Sequence, residues 1–374
     1  MSTAKGFESN YAVGLSPKGV AFDSGTSSIW VSNNGSNTVS KVNRLSGAST
    51  SYDVGTSPLG VAYDSYTATI WVANSGSSSI SQVNITTGTS VSYTVSADPR
   101  TVTFDPVTHS IWVTHASTVV EQIDVTTGNI SATYAAVGAA TSAVYESYTQ
   151  SIWLVQGTTL SRIRITNGDR TDYVIPAGYG IAYDSYSNSI WVGCSGSMLK
   201  INPSTGTYIS TFVPSGNPIN GVVFDDTTNT IWCISQLANS AYQILVTTGA
   251  VASTYATATS PEQIVSDHVN SVWITQSTAG TVGKMAVQAY GVDITGIIPI
   301  IDTITIFQVA TSPLTGALLI SPPHTEIPIY PECLPTTNDQ FVINSNLHTM
   351  KISFMTTCPD PAPTKQFWTA PSTL

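Results

Sequence analysis

Charge is what this chain has least of. Asp, Glu, Lys and Arg make up 9% of its 374 residues, against about 25% in ordinary soluble domains. The solvent-facing surface must therefore be built mainly from Ser, Thr, Asn and Gln, and such a surface resists salt-dependent association. The 12 basic residues form no cluster and, with 22 acidic residues, leave a net charge of -10. A phosphate backbone needs concentrated positive charge, so no nucleic-acid partner is expected. Bilayer-spanning helices need about 20 apolar residues in a row. The longest run here, around Ile297 to Phe307, is broken by Pro299 and Asp302, so no membrane insertion is expected. The opening Met1-Ser2-Thr3-Ala4-Lys5-Gly6 does not lead into the apolar stretch of a secretory signal. A place outside the cell would then be reached by another route, such as release inside a virus particle.

Familiar catalytic patterns are missing as well. There is no His-Glu-x-x-His metal site, no Cys-x-x-Cys pair, no Gly-x-Ser-x-Gly elbow and no phosphate-binding glycine loop. Of the four cysteines, Cys194 and Cys233 fall on or beside Trp-bearing segments and read as small buried thiols. Cys333 and Cys358 bracket a Pro-rich polar stretch with little visible core and are a candidate stapling disulfide. His109 and His268 fall in turns, where solvent exposure is expected, and His324 and His348 lie in the irregular C-terminal part. The run Asp225-Asp226-Thr227-Thr228-Asn229 is a candidate calcium contact, although one acidic turn more often only closes a hairpin.

What the chain does have is a ruler. Trp30, Trp71, Trp112, Trp153, Trp191, Trp232 and Trp273 are separated by 41, 41, 41, 38, 41 and 41 residues. Each lies in Ser-Ile-Trp-Val or a near variant. An acidic residue stands seven positions earlier in six units (Asp23, Asp64, Asp105, Glu146, Asp184 and Asp225) and six earlier in the last, at Asp267. A repeat of about 40 residues rich in short β segments marks a blade of a β-propeller. The second unit shows the four strands: Pro-Leu-Gly-Val-Ala-Tyr-Asp, Thr-Ile-Trp-Val-Ala-Asn, Ser-Ile-Ser-Gln-Val-Asn and Val-Ser-Tyr-Thr-Val. The acidic residue is expected to fix the first reversal by accepting amide hydrogen bonds. A Thr-Thr-Gly or related turn, as at Thr86-Thr87-Gly88, joins the third and fourth strands with a left-handed glycine.

Both ends of the ring are legible. Asn10 to Pro17 matches Ser51 to Pro58, an outer strand leading into the next blade, whereas the unit around Trp273 loses the pattern after Gly291. The expectation is an all-β, seven-bladed propeller over residues 8–291, whose last blade takes its outer strand from near Tyr11. Residues 292–374 form a Pro-rich C-terminal extension, a small β appendage or arm. Gln340 to Asn344 and Met350 to Phe354 are expected to pair there as a hairpin around Asn346-Leu347-His348.

Three residues past each Trp, at the end of the second strand, stand Asn33, Asn74, His115, Gln156, Cys194, Ser235 and Gln276. This polar ring lies on the face where the chain enters each blade. Asn33, Asn74, Arg100, His115, Gln156 and Gln276 are therefore the candidate ligand-binding face, with Arg100 its strong charge. The alternative is that the polar side chains cap strands and loops.

The Gly-Val-Ala-hydrophobic-Asp strand, the Ile-Trp-hydrophobic strand and the Thr-Gly turn resemble the repeats of the YVTN and virginiamycin B lyase-like propellers, over residues 10 to about 290. The resemblance implies the same architecture and, for the lyase, a His base with magnesium held by Glu residues just after the Trp strand. His115 matches the base by residue type. The remaining ring positions offer no carboxylate to a hard cation, so no metal and no cofactor are expected. The resulting expectation is a non-enzymatic structural or recognition propeller on a virion or cell surface. It would be attached to other structural proteins through residues 292–374, and a host receptor or glycan is a further expected partner. A lyase-like enzyme acting on a small exported compound and a glycan-binding propeller are the alternatives.

Overall fold

Short segments of alternating burial favour strands, and every helix or strand among the described residues is a strand. A computed structural model of the chain describes residues 9–287 and four further strands, Ile306–Ala310, Gly316–Ile320, Val342–Asn346 and Thr349–Phe354. Residues 9–287 form seven four-stranded antiparallel sheets. The first blade is β2 (Pro17–Asp23), β3 (Ser28–Asn33), β4 (Thr38–Asn43) and β5 (Ser49–Asp53), in that order from the axis outward. Five more blades repeat it with strands β6 to β25 over residues 58–256. The seventh consists of β26 (Pro261–Ser266), β27 (Ser271–Gln276), β28 (Thr281–Ala286) and, outermost, β1 (Ser9–Ala12). Tyr11 faces Val282 across that last pairing, so the chain start closes the ring as its repeat predicts.

Blades meet through the Trp strand. All seven ruler tryptophans have no exposed surface, because each packs on the second and third strands of the following blade. Trp30 lies with Ile70, Val72, Val83 and Ile85, and Trp273 lies with Ile29, Val31 and Val42, which completes the circle. The other side of each indole is covered by an aromatic ring from the outer strand of its own blade, Tyr52 on Trp30 and Tyr11 on Trp273 among them. Ring centroids are 4.8 to 5.6 Å apart throughout.

The glycine of the Thr-Thr-Gly turn has a second reason to be there. Gly88 has φ +73°, and a Cβ added to it would lie 1.9 Å from the ring of Tyr52 in the preceding blade. The same arrangement joins Gly47 to Tyr11, Gly128 to Tyr93, Gly206 to Tyr173 and Gly249 to Phe212. Near the axis, glycines let inner strands approach: a Cβ on Gly19 would lie 2.2 Å from the carbonyl oxygen of Leu59.

The acidic residue before each Trp is fully buried and folded into the first turn. Asp23 Oδ1 accepts from the amides of Gly25 and Thr26 at 2.8 and 3.1 Å, and its other oxygen accepts from the Thr26 hydroxyl. Four indoles, those of Trp30, Trp112, Trp191 and Trp273, donate to the acidic residue of their own blade at 3.2 to 3.5 Å. The shorter spacing to Asp267 thus preserves the contact.

Contacts divide the chain into Met1–Val287 and Gln288–Leu374. In the second unit, β29 (Ile306–Ala310), β30 (Gly316–Ile320), β31 (Val342–Asn346) and β32 (Thr349–Phe354) form one antiparallel sheet in the order β29-β30-β32-β31. The expected hairpin is present as β31 and β32, with its first strand ending two residues later than expected, so that Asn346 pairs with Thr349 instead of lying in the turn, and two strands not read from the sequence extend it. Cys333, Cys358, His324 and His348 lie outside the described residues.

Two substitutions test this account of the blade interface. Trp112→Ala should destabilise the ring by about 3–5 kcal/mol in urea titration, as for other buried aromatics. Gly88→Ala should cost clearly more than Gly157→Ala. Gly157 also has positive φ, +62°, but an added methyl there meets open space, so only the backbone penalty of about 1–2 kcal/mol applies.

Candidate functional site: the mouth of the ring

The polar ring three residues past each Trp is closed. Asn33, Asn74, His115, Cys194 and Ser235 have no exposed surface, while Gln276 and Gln156 are 1% and 7% exposed. Each stands at the mouth end of its second strand, but loops and third-strand hydroxyls cover it. Asn33 Nδ2 donates to Thr38 and Ser40, and its Oδ1 accepts from the Gly14 amide. Asn74 donates to Ser79 and Ser81, Gln156 accepts from Ser161, and Gln276 donates to Asn10 of the closing strand. Burial without partners would be costly, so these side chains tie the second strand to its neighbours. Of the expected ligand face, only Arg100 is exposed.

His115 has an acidic neighbour that its own motif does not contain. Its Nδ1 lies 3.3 Å from the Ala97 carbonyl oxygen and its Nε2 lies 3.0 Å from Glu121 Oε2, six residues along on β12 (Val119–Asp124). The latter is a close polar contact rather than an aligned hydrogen bond, since Nε2 has no hydrogen-bond partner. Glu121 also accepts from the Ser96 hydroxyl at 2.6 Å and from its amide. With side-chain exposures of 0% and 4%, the pair resembles an acid–base couple in composition, but a substrate cannot reach it in this conformation.

What opens at the mouth is the residue after the first-strand proline or its equivalent. Lys18, Leu59, Arg100, Thr141 and Glu262 line a cavity of about 470 Å³ on the ring axis, with Gln263 beside them. A register shift follows Pro17, Pro58, Pro99 and Pro261, and such bulges re-aim side chains at the rims of β structures. Lys18 Nζ is 2.7 Å from Glu262 Oε1, which also accepts from Gln236 and Ser277. Arg100 is 2.8 Å from Asp98. The mouth therefore pairs its own charges and presents hydroxyl and amide groups beside them. Its signal was present in the sequence as a variable residue behind a repeated proline.

Four further cations among the described residues are also engaged. Lys41, Arg162, Lys200 and Lys284 sit 5.1 to 5.8 Å from the centroids of the tryptophan rings they face. Three of them reach the next blade: Lys41, Lys200 and Arg162 donate to the carbonyls of Ile85, Val246 and Pro203. Burial holds Lys41 and Lys200 below the usual lysine range. Burial likewise pushes the Cys194 thiol up to about 11 and raises that of Cys233, and both thiols are free.

On the opposite face, where first strands turn back, Asp225 and Asp226 diverge. Asp225 is fully buried and accepts from Thr227, Thr228 and Ser266, whereas Asp226 lies 2.8 Å from His268 Nδ1. Among the described residues, no group of three or more His, Cys, Asp or Glu is placed to hold a metal ion.

No protein-family model and no curated protein matches this sequence. Solved structures resemble it in shape. One, Kuenenia stuttgartiensis hydrazine synthase, has a TM-score of 0.66 at 11% identity, covering 77% of this chain and 98% of the other. Another, from a crystal structure of the mitotic checkpoint complex, has a TM-score of 0.69 at 11% identity, covering 77% and 94%. At that identity the likeness establishes the seven-bladed propeller fold.

The exposed pair gives a pH prediction. The hydrogen bond to Asp226 raises His268, and the bond to His268 lowers Asp226. The attraction is therefore present between the two, lost as pH falls through the lowered Asp226 value and lost as pH rises through the raised His268 value. His268→Ala should lower the melting temperature most near pH 5–6, by the equivalent of under about 1 kcal/mol for an exposed pair, and less as pH rises through the raised His268 value. Burial makes the other pair different: Glu121→Ala removes the acceptor of the Ser96 hydroxyl and amide and should cost roughly 1–3 kcal/mol. A double-mutant cycle with His115→Ala should show strong coupling.

Proposed function

We propose that the chain is a non-enzymatic structural or recognition propeller, displayed on a virion or cell surface and held in its assembly by the segment after Val287. The observation that carries this reading is the closed polar ring. The positions where a lyase-like propeller keeps its acting residues are buried here and bonded within the protein. Charge points the same way, because Lys41, Arg162, Lys200 and Lys284 lie over tryptophans and Lys18 and Arg100 are paired at the mouth. What remains outside is mostly uncharged, which suits a surface meeting variable salt. The second unit, with its own sheet, supplies a separate element for attachment.

The test compares the full chain with one ending at Val287. The shortened chain should melt cooperatively, because β1 already completes the last blade, and it should no longer co-purify with particles or surface fractions. Retained co-purification would overturn attachment through the second unit. Failure of the full chain to appear in any particle or surface fraction by mass spectrometry would overturn the displayed role.

A further inference from the structure

The face opposite the mouth carries a repeated aromatic that the polar ring did not offer. Two residues past the buried acidic position, three blades place a tyrosine: Tyr66, Tyr148 and Tyr186, exposed by 59%, 62% and 51%. Their turns share a pattern, Ser65-Tyr66-Thr67-Ala68, Ser147-Tyr148-Thr149-Gln150 and Ser185-Tyr186-Ser187-Asn188. Single exposed aromatics are ordinary, but these three recur at one position of the repeat and lie outside the inter-blade core.

The turns fix the backbone that carries these rings. Asp64 accepts from the Tyr66 and Thr67 amides at 2.8 and 3.2 Å, and Asp184 accepts from the Tyr186 and Ser187 amides at 2.9 and 3.0 Å. Glu146 anchors the Thr149 amide at 2.8 Å. Tyr66 also stacks on His109 of the next blade, with centroids 3.8 Å apart. A turn backbone fixed before binding loses no further entropy when a ligand arrives. The anchoring carboxylates have no exposed surface, and none of the twelve turn residues is charged. Between the fourth and fifth blades, Tyr183 donates its hydroxyl to Asn188 Oδ1 at 2.8 Å and lies 3.5 Å from Ser147 Oγ. A hydroxyl and amide cluster therefore sits in the turns that carry Tyr148 and Tyr186.

From these features we infer that this face binds neutral saccharides, with Tyr66, Tyr148 and Tyr186 as stacking platforms. A pyranose offers an apolar C–H face to a flat ring and hydroxyls to surrounding amide and hydroxyl groups. An anionic sugar would find no cation in these turns. A protein-docking patch concentrates apolar side chains at its centre, whereas each of these rings stands among the polar side chains of its own turn. Repetition around one ring allows several weak contacts to act together. This site is independent of attachment through the second unit.

The experiment uses the full-length protein on an array of neutral glucans, mannans and galactans beside sialylated and sulfated glycans. Binding to at least one neutral class is expected, unchanged between about 50 and 500 mM salt. Each Tyr→Ala change should weaken it about tenfold, and the triple variant should abolish it with a melting temperature close to the parent. Tyr186→Phe, which keeps the ring, should retain most of the affinity. Absence of neutral-glycan binding, preference for charged glycans, or a triple variant within twofold of the parent would overturn the assignment. So would a result in which the triple variant loses only a protein partner.

Discussion

The whole ring depends on one repeated contact, a tryptophan held between an aromatic of its own blade and the aliphatic strands of the next. A four-stranded sheet alone leaves one apolar face uncovered. Here that face is closed by the following blade, seven times, until Trp273 meets Ile29, Val31 and Val42. Because each layer borrows half its core from a neighbour, no blade is expected to be stable by itself. Stability therefore belongs to the circle.

Other features follow from protecting this contact. Turn glycines accept the ring of the preceding blade where no side chain would fit. Buried carboxylates fix the first turn and, in four blades, meet the indole nitrogen. Four of the scarce lysines and arginines lie over the rings, and three of these reach carbonyls one blade away. The low charge of the chain and its geometry are thus connected, since several of its few cations already have structural work.

Architecture was legible because it is periodic. The Trp spacing located every blade, and the match of Asn10–Pro17 to Ser51–Pro58 located the closing strand. The site was less legible because strand position tells direction and not exposure. Asn33 and Gln276 do stand at the mouth end, yet Thr38, Ser40 and Asn10, from other strands, cover and bind them. His115 lacked a visible partner because Glu121 belongs to the neighbouring strand, where pairing across the hairpin brings the two together. The β29 and β30 segments carry no repeat, so nothing marked in advance the pairing of β29 with β30 or of β30 with β32.

The closing strand also determines how the ring would carry a mechanical load. A pull transmitted along the chain from beyond Val287 arrives first at β28. That strand is not at the sheet margin: β27 pairs with it on one side and β1 on the other. Peeling it away requires two hydrogen-bonded ladders to fail together, where a ring ending in an unpaired third strand would unzip one ladder at a time. The β1 strand thereby acts as a clamp on the last blade, at the point where tension would enter.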